Sequence, residues 1–135
     1  MLKLGKMKTE SFTENTLRIL VVDDNEINCD LLEIYLRKVA STDIAYTGET
    51  AVAKTRQEMY DLILLDIRLG KGMDGVEVLQ EIKVQENNKH TPVIAVTAYA
   101  TETDQGEFLA KGFNGFLPKP FTKQELMDAI KMTIS

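Results

Sequence analysis

Five short apolar runs, each followed by a stretch of helical periodicity, constrain this chain more than any other feature. The runs lie near residues 18–23, 42–46, 62–66, 92–97 and 115–119, and the helix-like stretches near 25–39, 48–59, 75–86, 102–111 and 122–134. Ile19-Leu20-Val21-Val22, Leu62-Ile63-Leu64-Leu65 and Val93-Ile94-Ala95-Val96 are continuous rather than alternating. That is the pattern of strands covered on both faces. Strands alternating with helices of this length predict right-handed βαβ units and one parallel α/β sheet with helices on both sides.

The helices carry their own punctuation. Thr122 and Glu125 have capping-box spacing, and Asp74 and Glu77 repeat it, so helices are expected to start there. Ile27, Leu31, Ile34 and Tyr35 share one face of the first helix, and Leu126, Ile130 and Ile134 share one face of the last. These faces are expected to meet the sheet. The fourth helix has a weak apolar stripe and Gly106 inside it, so it is expected to be short or mobile. Residues 1–17 are polar and aperiodic and read as a tail or linker, which leaves 18–135 as one domain. A chain of 135 residues is long enough for a single core of this kind.

Composition removes several functions. A net charge of −5 with no basic stripe argues against nucleic-acid binding by this domain alone. No apolar stretch is long enough to span a membrane, and Met1 to Met7 lack the apolar segment of a secretion signal. The single cysteine, Cys29, forms no internal disulfide and reads as a bland small residue on the first helix. A cytoplasmic domain is expected.

The chemistry is concentrated at the ends of the apolar runs. Asp23 and Asp24 end the first, Asp66 the third, Thr97 the fourth, and Lys119 follows Gly115-Phe116-Leu117-Pro118. In a parallel sheet these ends share one edge, where open α/β sheets place their sites. Carboxylate oxygens are hard ligands suited to Mg²⁺. Three carboxylates at close range raise one another's pKa unless a cation joins them. An ionised Asp66 is then a candidate nucleophile toward phosphorus, forming an acyl phosphate. Lys119 and the Thr97 hydroxyl are suited to phosphoryl oxygens. Phosphoryl transfer depends mostly on positioning and charge, so this short list is sufficient. Taken singly, each residue has a plainer role: either acid caps the first helix, Thr97 satisfies a strand end, and Lys119 is a solvated charge. Their occurrence together at four strand ends favours the site.

The stretches from Ile19 to Asn28, Leu64-Leu65-Asp66, Met73-Asp74-Gly75, Val96-Thr97-Ala98 and Lys119-Pro120 closely resemble the receiver domain of two-component response regulators. The resemblance covers residues 18 to 134. It implies a flavodoxin-like (βα)5 fold with strand order 2-1-3-4-5. Asp66 would be the phosphoacceptor, taking its phosphoryl group from a phosphohistidine on a histidine kinase or a histidine phosphotransfer protein. Asp24 and Asp66 would bind Mg²⁺ directly, Asp23 through water, and Arg68 through its backbone carbonyl. Thr97 and Lys119 would hold the phosphoryl oxygens, and the Lys119-Pro120 peptide would be cis. Thr97 and Phe116 would form the switch that carries the signal to a partner-binding surface. Arg68 and Tyr99 would flank the path of the hydrolytic water and set the lifetime of the phosphorylated state. The output module would lie on another chain or elsewhere in a longer protein, either a hybrid histidine kinase or a single-domain regulator.

Two departures from that family pattern stand out. The segment Ile67 to Met73 is one residue longer than the usual loop, lacks its proline and contains Gly70 and Gly72, so a more flexible path is expected. Pro118, just before Lys119, removes a backbone donor near the sheet edge. His90, the only histidine, is expected at the surface away from the site. The alternatives fare worse. An aspartyl-phosphate phosphohydrolase of the haloacid-dehalogenase type needs an acid two residues after its nucleophile, where this chain has Arg68. A flavin or dinucleotide module needs a glycine-rich loop after the first strand, where Asp23-Asp24-Asn25-Glu26 stands instead.

Overall fold

The computed structural model describes residues 17–98 and 102–134, and of Glu102 and Thr103 the backbone alone. The apolar runs become β1 (Leu17–Val22), β2 (Ala40–Ala45), β3 (Leu62–Asp66), β4 (Val93–Thr97) and β5 (Gly115–Pro118). Between and after them lie α1 (Glu26–Leu36), α2 (Gly48–Gln57), α3 (Gly75–Lys83), α4 (Glu102–Ala110) and α5 (Lys123–Ile134). The strands form one parallel sheet in the order β2-β1-β3-β4-β5. This is the expected doubly wound topology. Leu17, assigned to the tail by sequence, opens β1 and is fully buried. The rest of the expected tail, residues 1–16, lies outside the described residues.

Alternation along each strand divides the core in two. Leu17, Ile19 and Val21 of β1 face a cluster with Cys29, Leu32 and Leu36 of α1 and Leu126 and Ile130 of α5. Leu20 and Val22 face the opposite cluster, with Ala51 and Val52 of α2 and Val78, Leu79 and Ile82 of α3. Each buried Leu, Ile or Val contributes about 1.5–3 kcal/mol, and the sum offsets the entropy of ordering the chain.

The face of α1 that meets the sheet is a correction. Ile27, Leu31 and Ile34 are 78%, 41% and 55% exposed, and Tyr35 is half-buried. The helix instead buries Cys29, Leu32 and Leu36 on its far side. It carries two apolar stripes, and periodicity alone does not choose between them. Its rotation is fixed at the start, where Asn25 caps the helix by accepting from the Asn28 N–H at 3.0 Å. Asp23 holds that turn by accepting from the Asn25 N–H at 2.9 Å and the Asn28 side-chain amide at 3.3 Å.

Both capping boxes form. Asp74 and Glu77 exchange side chain–backbone bonds at 2.9 and 3.0 Å, and Thr122 and Glu125 do so at 3.0 and 2.9 Å. Gly75 is required where α3 begins, because a Cβ there would stand 2.5 Å from the Asp66 carbonyl oxygen. α4 runs for nine residues, the same length as α3. His90 is exposed in the turn before β4, as expected.

At the edge where β3 and β4 begin, opposite the site, Asn88 joins three segments. Its side-chain oxygen accepts from the Tyr60 N–H at 2.9 Å and from the Thr91 hydroxyl at 2.9 Å. Its amide donates to the carbonyls of Thr55 and Glu58, the latter at 2.7 Å. Nearby, Arg18 pairs with Asp43 and Glu58 at 2.8 and 2.6 Å, and its guanidinium lies 5.2 Å from the Tyr60 ring centre. The arginine is 40% exposed, so these pairs add little to stability.

Candidate functional site

Strand register builds the site. Val22 is level with Leu65, so Asp23 and Asp66 are the next residues on adjacent strand ends. Asp66 is level with Val96, and Thr97 with Pro118, so Thr97 and Lys119 follow in steps across the same edge. The Lys119 N–H donates to the Thr97 carbonyl at 2.8 Å. This keeps the strand end paired beyond Pro118. The Lys119-Pro120 peptide is cis, as the family resemblance implied.

The side chains converge accordingly. Lys119 Nζ donates to Asp66 Oδ2 at 2.9 Å and to Asp23 Oδ2 at 3.1 Å. Asp66 Oδ1 accepts from the Arg68 N–H at 3.0 Å. One carboxylate oxygen each from Asp23, Asp24 and Asp66 falls within 4.8 Å of the others. Asp23 and Asp66 are buried, while Asp24 is exposed, which opens the cluster to solvent on one side. Three hard oxygen donors on that open cluster fit a small divalent cation better than a soft one.

Electrostatics agree with this geometry. Burial pushes the Asp66 carboxyl above its ordinary pKa, and this outweighs the hydrogen bonds from Lys119 and Arg68 that pull it down. Burial alone would lower Lys119. The hydrogen bond to Asp66 and the charges of Asp66 and Asp23 outweigh it, so the ammonium stays charged. Cys29 lies beneath the site, its thiol 3.4 Å from the Asp23 carbonyl oxygen. Burial, then the charge of Asp23, pushes this thiol up to about 12. It is an inert residue, as its reading from sequence had it, and the fold places it in the core.

The remaining predicted residues fall around this centre. Thr97 is fully buried at the end of β4. Arg68 is exposed at the mouth. Phe116 is half-buried on β5, packed on the α2–α3 side of the sheet. Its ring stacks on Phe108 of α4 with centroids 5.7 Å apart, and Phe108 meets Phe113 edge-on at 5.8 Å. Sequence reading missed Phe108, whose only signal was an aromatic in a weakly striped helix. Tyr99 lies outside the described residues.

The loop from Ile67 to Met73 is pinned at several points. Leu69 is buried in the core, and the Met73 N–H donates to Glu49 Oε2 at 3.2 Å. Gly70 and Gly72 take φ of +75° and +84°, which an L side chain rarely adopts. No described helix is long and apolar enough to cross a membrane.

Comparison with known proteins gives this arrangement its relatives. The chain is 36% identical over 124 residues to the autoinducer 2 sensor kinase/phosphatase LuxQ of Vibrio vulnificus, which covers 91% of the chain and 14% of LuxQ. It is 37% identical over 118 residues to the transcriptional regulatory protein ResD of Bacillus subtilis, covering 87% of the chain and 48% of ResD. The chain thus spans less than half the length of either relative. Among solved structures, it superposes with TM-score 0.79 and 36% identity on the receiver domain of a Pseudomonas aeruginosa sensor histidine kinase. That structure holds a magnesium ion in its active-site cleft, and the match covers 87% of this chain and 97% of that one. The chemotaxis protein CheY4 of Vibrio cholerae gives TM-score 0.80 at 25% identity, over 87% of this chain and 98% of that one. The profile of the response regulator receiver domain matches residues 19–131, nearly all of the sheet and its helices, and the chain belongs to that family.

Proposed function

We propose that this chain is a phosphoacceptor switch, in which Asp66 takes a phosphoryl group from the phosphohistidine of a histidine kinase or a histidine phosphotransfer protein. The observation that carries the reading is Lys119 Nζ bridging Asp66 and Asp23 beside the open carboxylate of Asp24. An Asp66 carboxylate oxygen attacks phosphorus, and a P–O bond forms as the P–N bond to the donor imidazole breaks. The electron pair of that bond stays on the imidazole nitrogen, which then takes up a proton. Lys119 shifts from Asp66 to a phosphoryl oxygen, and the Thr97 hydroxyl donates to another. Asp24 and Asp66 directly, Asp23 through water and the Arg68 carbonyl would hold Mg²⁺. The ion supplies neutralisation of the acidic cluster and of the incoming phosphoryl oxygens.

In this reading the chain catalyses only its own phosphorylation and dephosphorylation, in the cytoplasm. Movement of Thr97 toward the phosphoryl group leaves space into which Phe116 turns. Phenylalanine has no hydroxyl to bond at either end of that swing, so the change is one of packing alone. The altered surface is read by an output module on another chain or elsewhere in a longer protein, in a hybrid kinase or a single-domain regulator. Residues 1–16 serve as tail or linker to the domain, which begins with Leu17 of β1.

Incubation with acetyl phosphate and Mg²⁺ is expected to add one phosphoryl mass, located by peptide mapping to the segment containing Asp66. Chelation of the metal abolishes the gain. Asp24→Ala, which removes a direct anionic ligand, weakens Mg²⁺ binding by more than about tenfold in calorimetric titration. Modification on any other peptide, or labelling indifferent to metal, would overturn the reading.

The lifetime of the acyl phosphate is a separate expectation. By resemblance to the family, Arg68 and Tyr99 would flank the line along which water attacks phosphorus, and a guanidinium there would also hold a phosphoryl oxygen. The double variant Arg68→Ala, Tyr99→Ala is expected to shorten the half-life several-fold at matched Mg²⁺ and pH. An unchanged half-life would show that these side chains do not shield the site.

A further inference from the structure

Gly70 stands against the metal site in a way that its sequence neighbours do not. A Cβ built on it would lie 2.9 Å from Asp24 Oδ2 and 4.0 Å from Asp24 Cγ, and would meet no other described residue within 4 Å beyond its chain neighbours. We propose that Gly70 is a positioning residue for the cation site: its bare Cα lets the β3–α3 loop close against Asp24 and fixes where that carboxylate stands. The inference rests on the reading of Asp24 as a direct Mg²⁺ ligand.

The three acids are held by different means. Asp23 accepts from the Asn25 N–H, the Asn28 amide and Lys119, and Asp66 from Lys119 and the Arg68 N–H. Asp24 is exposed, and no such bond to the described residues orients it. On the loop side its carboxylate lies against Gly70, with no room for a Cβ between them. The loop is held on either side of Gly70, because Leu69 is buried and the Asp74 N–H is tied to Glu77. A side chain at position 70 therefore moves the carboxylate rather than the loop. Mg²⁺ demands near-ideal octahedral geometry, so a displaced oxygen is lost as a ligand.

Gly72 supplies the control. It shares the left-handed backbone, with φ +84°, but a Cβ there would meet the Glu49 carboxylate at 2.8 Å instead of Asp24. Both Gly70→Ala and Gly72→Ala carry the backbone penalty of a positive φ, and both are expected to unfold at lower temperature in chelator. Only Gly70→Ala is expected to weaken Mg²⁺ binding, by about tenfold, the scale of losing a group that orients a ligand. Gly70→Asn adds the same Cβ with less backbone penalty, because asparagine tolerates the left-handed region. It should weaken Mg²⁺ binding as well and so separates contact from strain.

The experiment is calorimetric titration of Mg²⁺ into the wild-type chain, Asp24→Ala, Gly70→Ala, Gly70→Asn and Gly72→Ala, with thermal unfolding in chelator alongside. Weak binding in Asp24→Ala and in both position-70 variants, with Gly72→Ala close to wild type, bears out the proposal. Wild-type affinity in the position-70 variants overturns it while the metal reading stands. Equal losses at 70 and 72 overturn it in favour of general loop strain. Unchanged affinity in Asp24→Ala overturns the metal reading and the proposal together.

Discussion

Asp66→Asn is expected to abolish phosphorylation by acetyl phosphate or by a phosphohistidine donor while leaving the fold intact. The amide has nearly the shape of the carboxylate and keeps an oxygen to accept the Arg68 N–H, now 3.0 Å from Oδ1. It lacks the negative charge that makes a carboxylate oxygen a nucleophile toward phosphorus. Stability should not fall in metal-free buffer. Burial raises the Asp66 pKa above its unfolded value, so ionisation of this group opposes folding once pH rises through the unfolded pKa. A neutral amide removes that term, and Lys119 keeps Asp23 at 3.1 Å as partner. The expected record is no added phosphoryl mass, an unfolding temperature at or above wild type in chelator, and a smaller rise on adding Mg²⁺. Full labelling of the variant would place the phosphoacceptor elsewhere.

The site was legible because its residues sit where local pattern changes abruptly. An acid closing an apolar run, as Asp66 closes Leu62 to Leu65, marks a strand end by local pattern alone. Parallel register then sets Asp23, Asp66, Thr97 and Lys119 along one edge. The capping boxes at Asp74 and Thr122 were legible for a similar reason, since their chemistry spans only three residues.

What escaped depends on contacts distant in sequence. α1 has two apolar stripes, and the choice of Cys29, Leu32 and Leu36 follows from how Asp23 holds Asn25 and Asn28 at its first turn. β2 begins at Ala40 rather than near Thr42 because pairing with β1 extends it through Ser41. It is an edge strand, and Ser41, Thr42 and Asp43 carry no apolar signal. The approach of Gly70 to Asp24 appears only when the loop path is fixed, with Leu69 buried in the core. The stacking of Phe108 on Phe116 likewise needs the position of α4 against β5.

Asn88 is the largest case of this kind, and its removal should be the most destabilising polar substitution among the described residues. It reads in sequence as one polar residue in Glu86-Asn87-Asn88-Lys89, a stretch that any solvated turn would carry. In the fold it is fully buried, and its amide closes four hydrogen bonds. These join the end of α2, the start of β3 and the turn leading to β4. Asn88→Ala strips partners from the Tyr60 N–H and from the Thr55 and Glu58 carbonyls. Water can reach only some of these groups, so a loss of about 3 kcal/mol is expected, the sum of unsatisfied buried polar groups less partial rescue. Asn88→Asp should be no better, since it keeps an acceptor for Tyr60 but turns a buried anion toward two carbonyl oxygens. Asn87→Ala, next in sequence, loses one exposed bond to the Arg56 carbonyl and should change stability by less than about 1 kcal/mol. Urea unfolding in chelator measures all three, with a lower midpoint and an unchanged slope expected for the Asn88 variants. Similar midpoints for Asn88→Ala and Asn87→Ala would show that burial of this amide does not hold the three segments together.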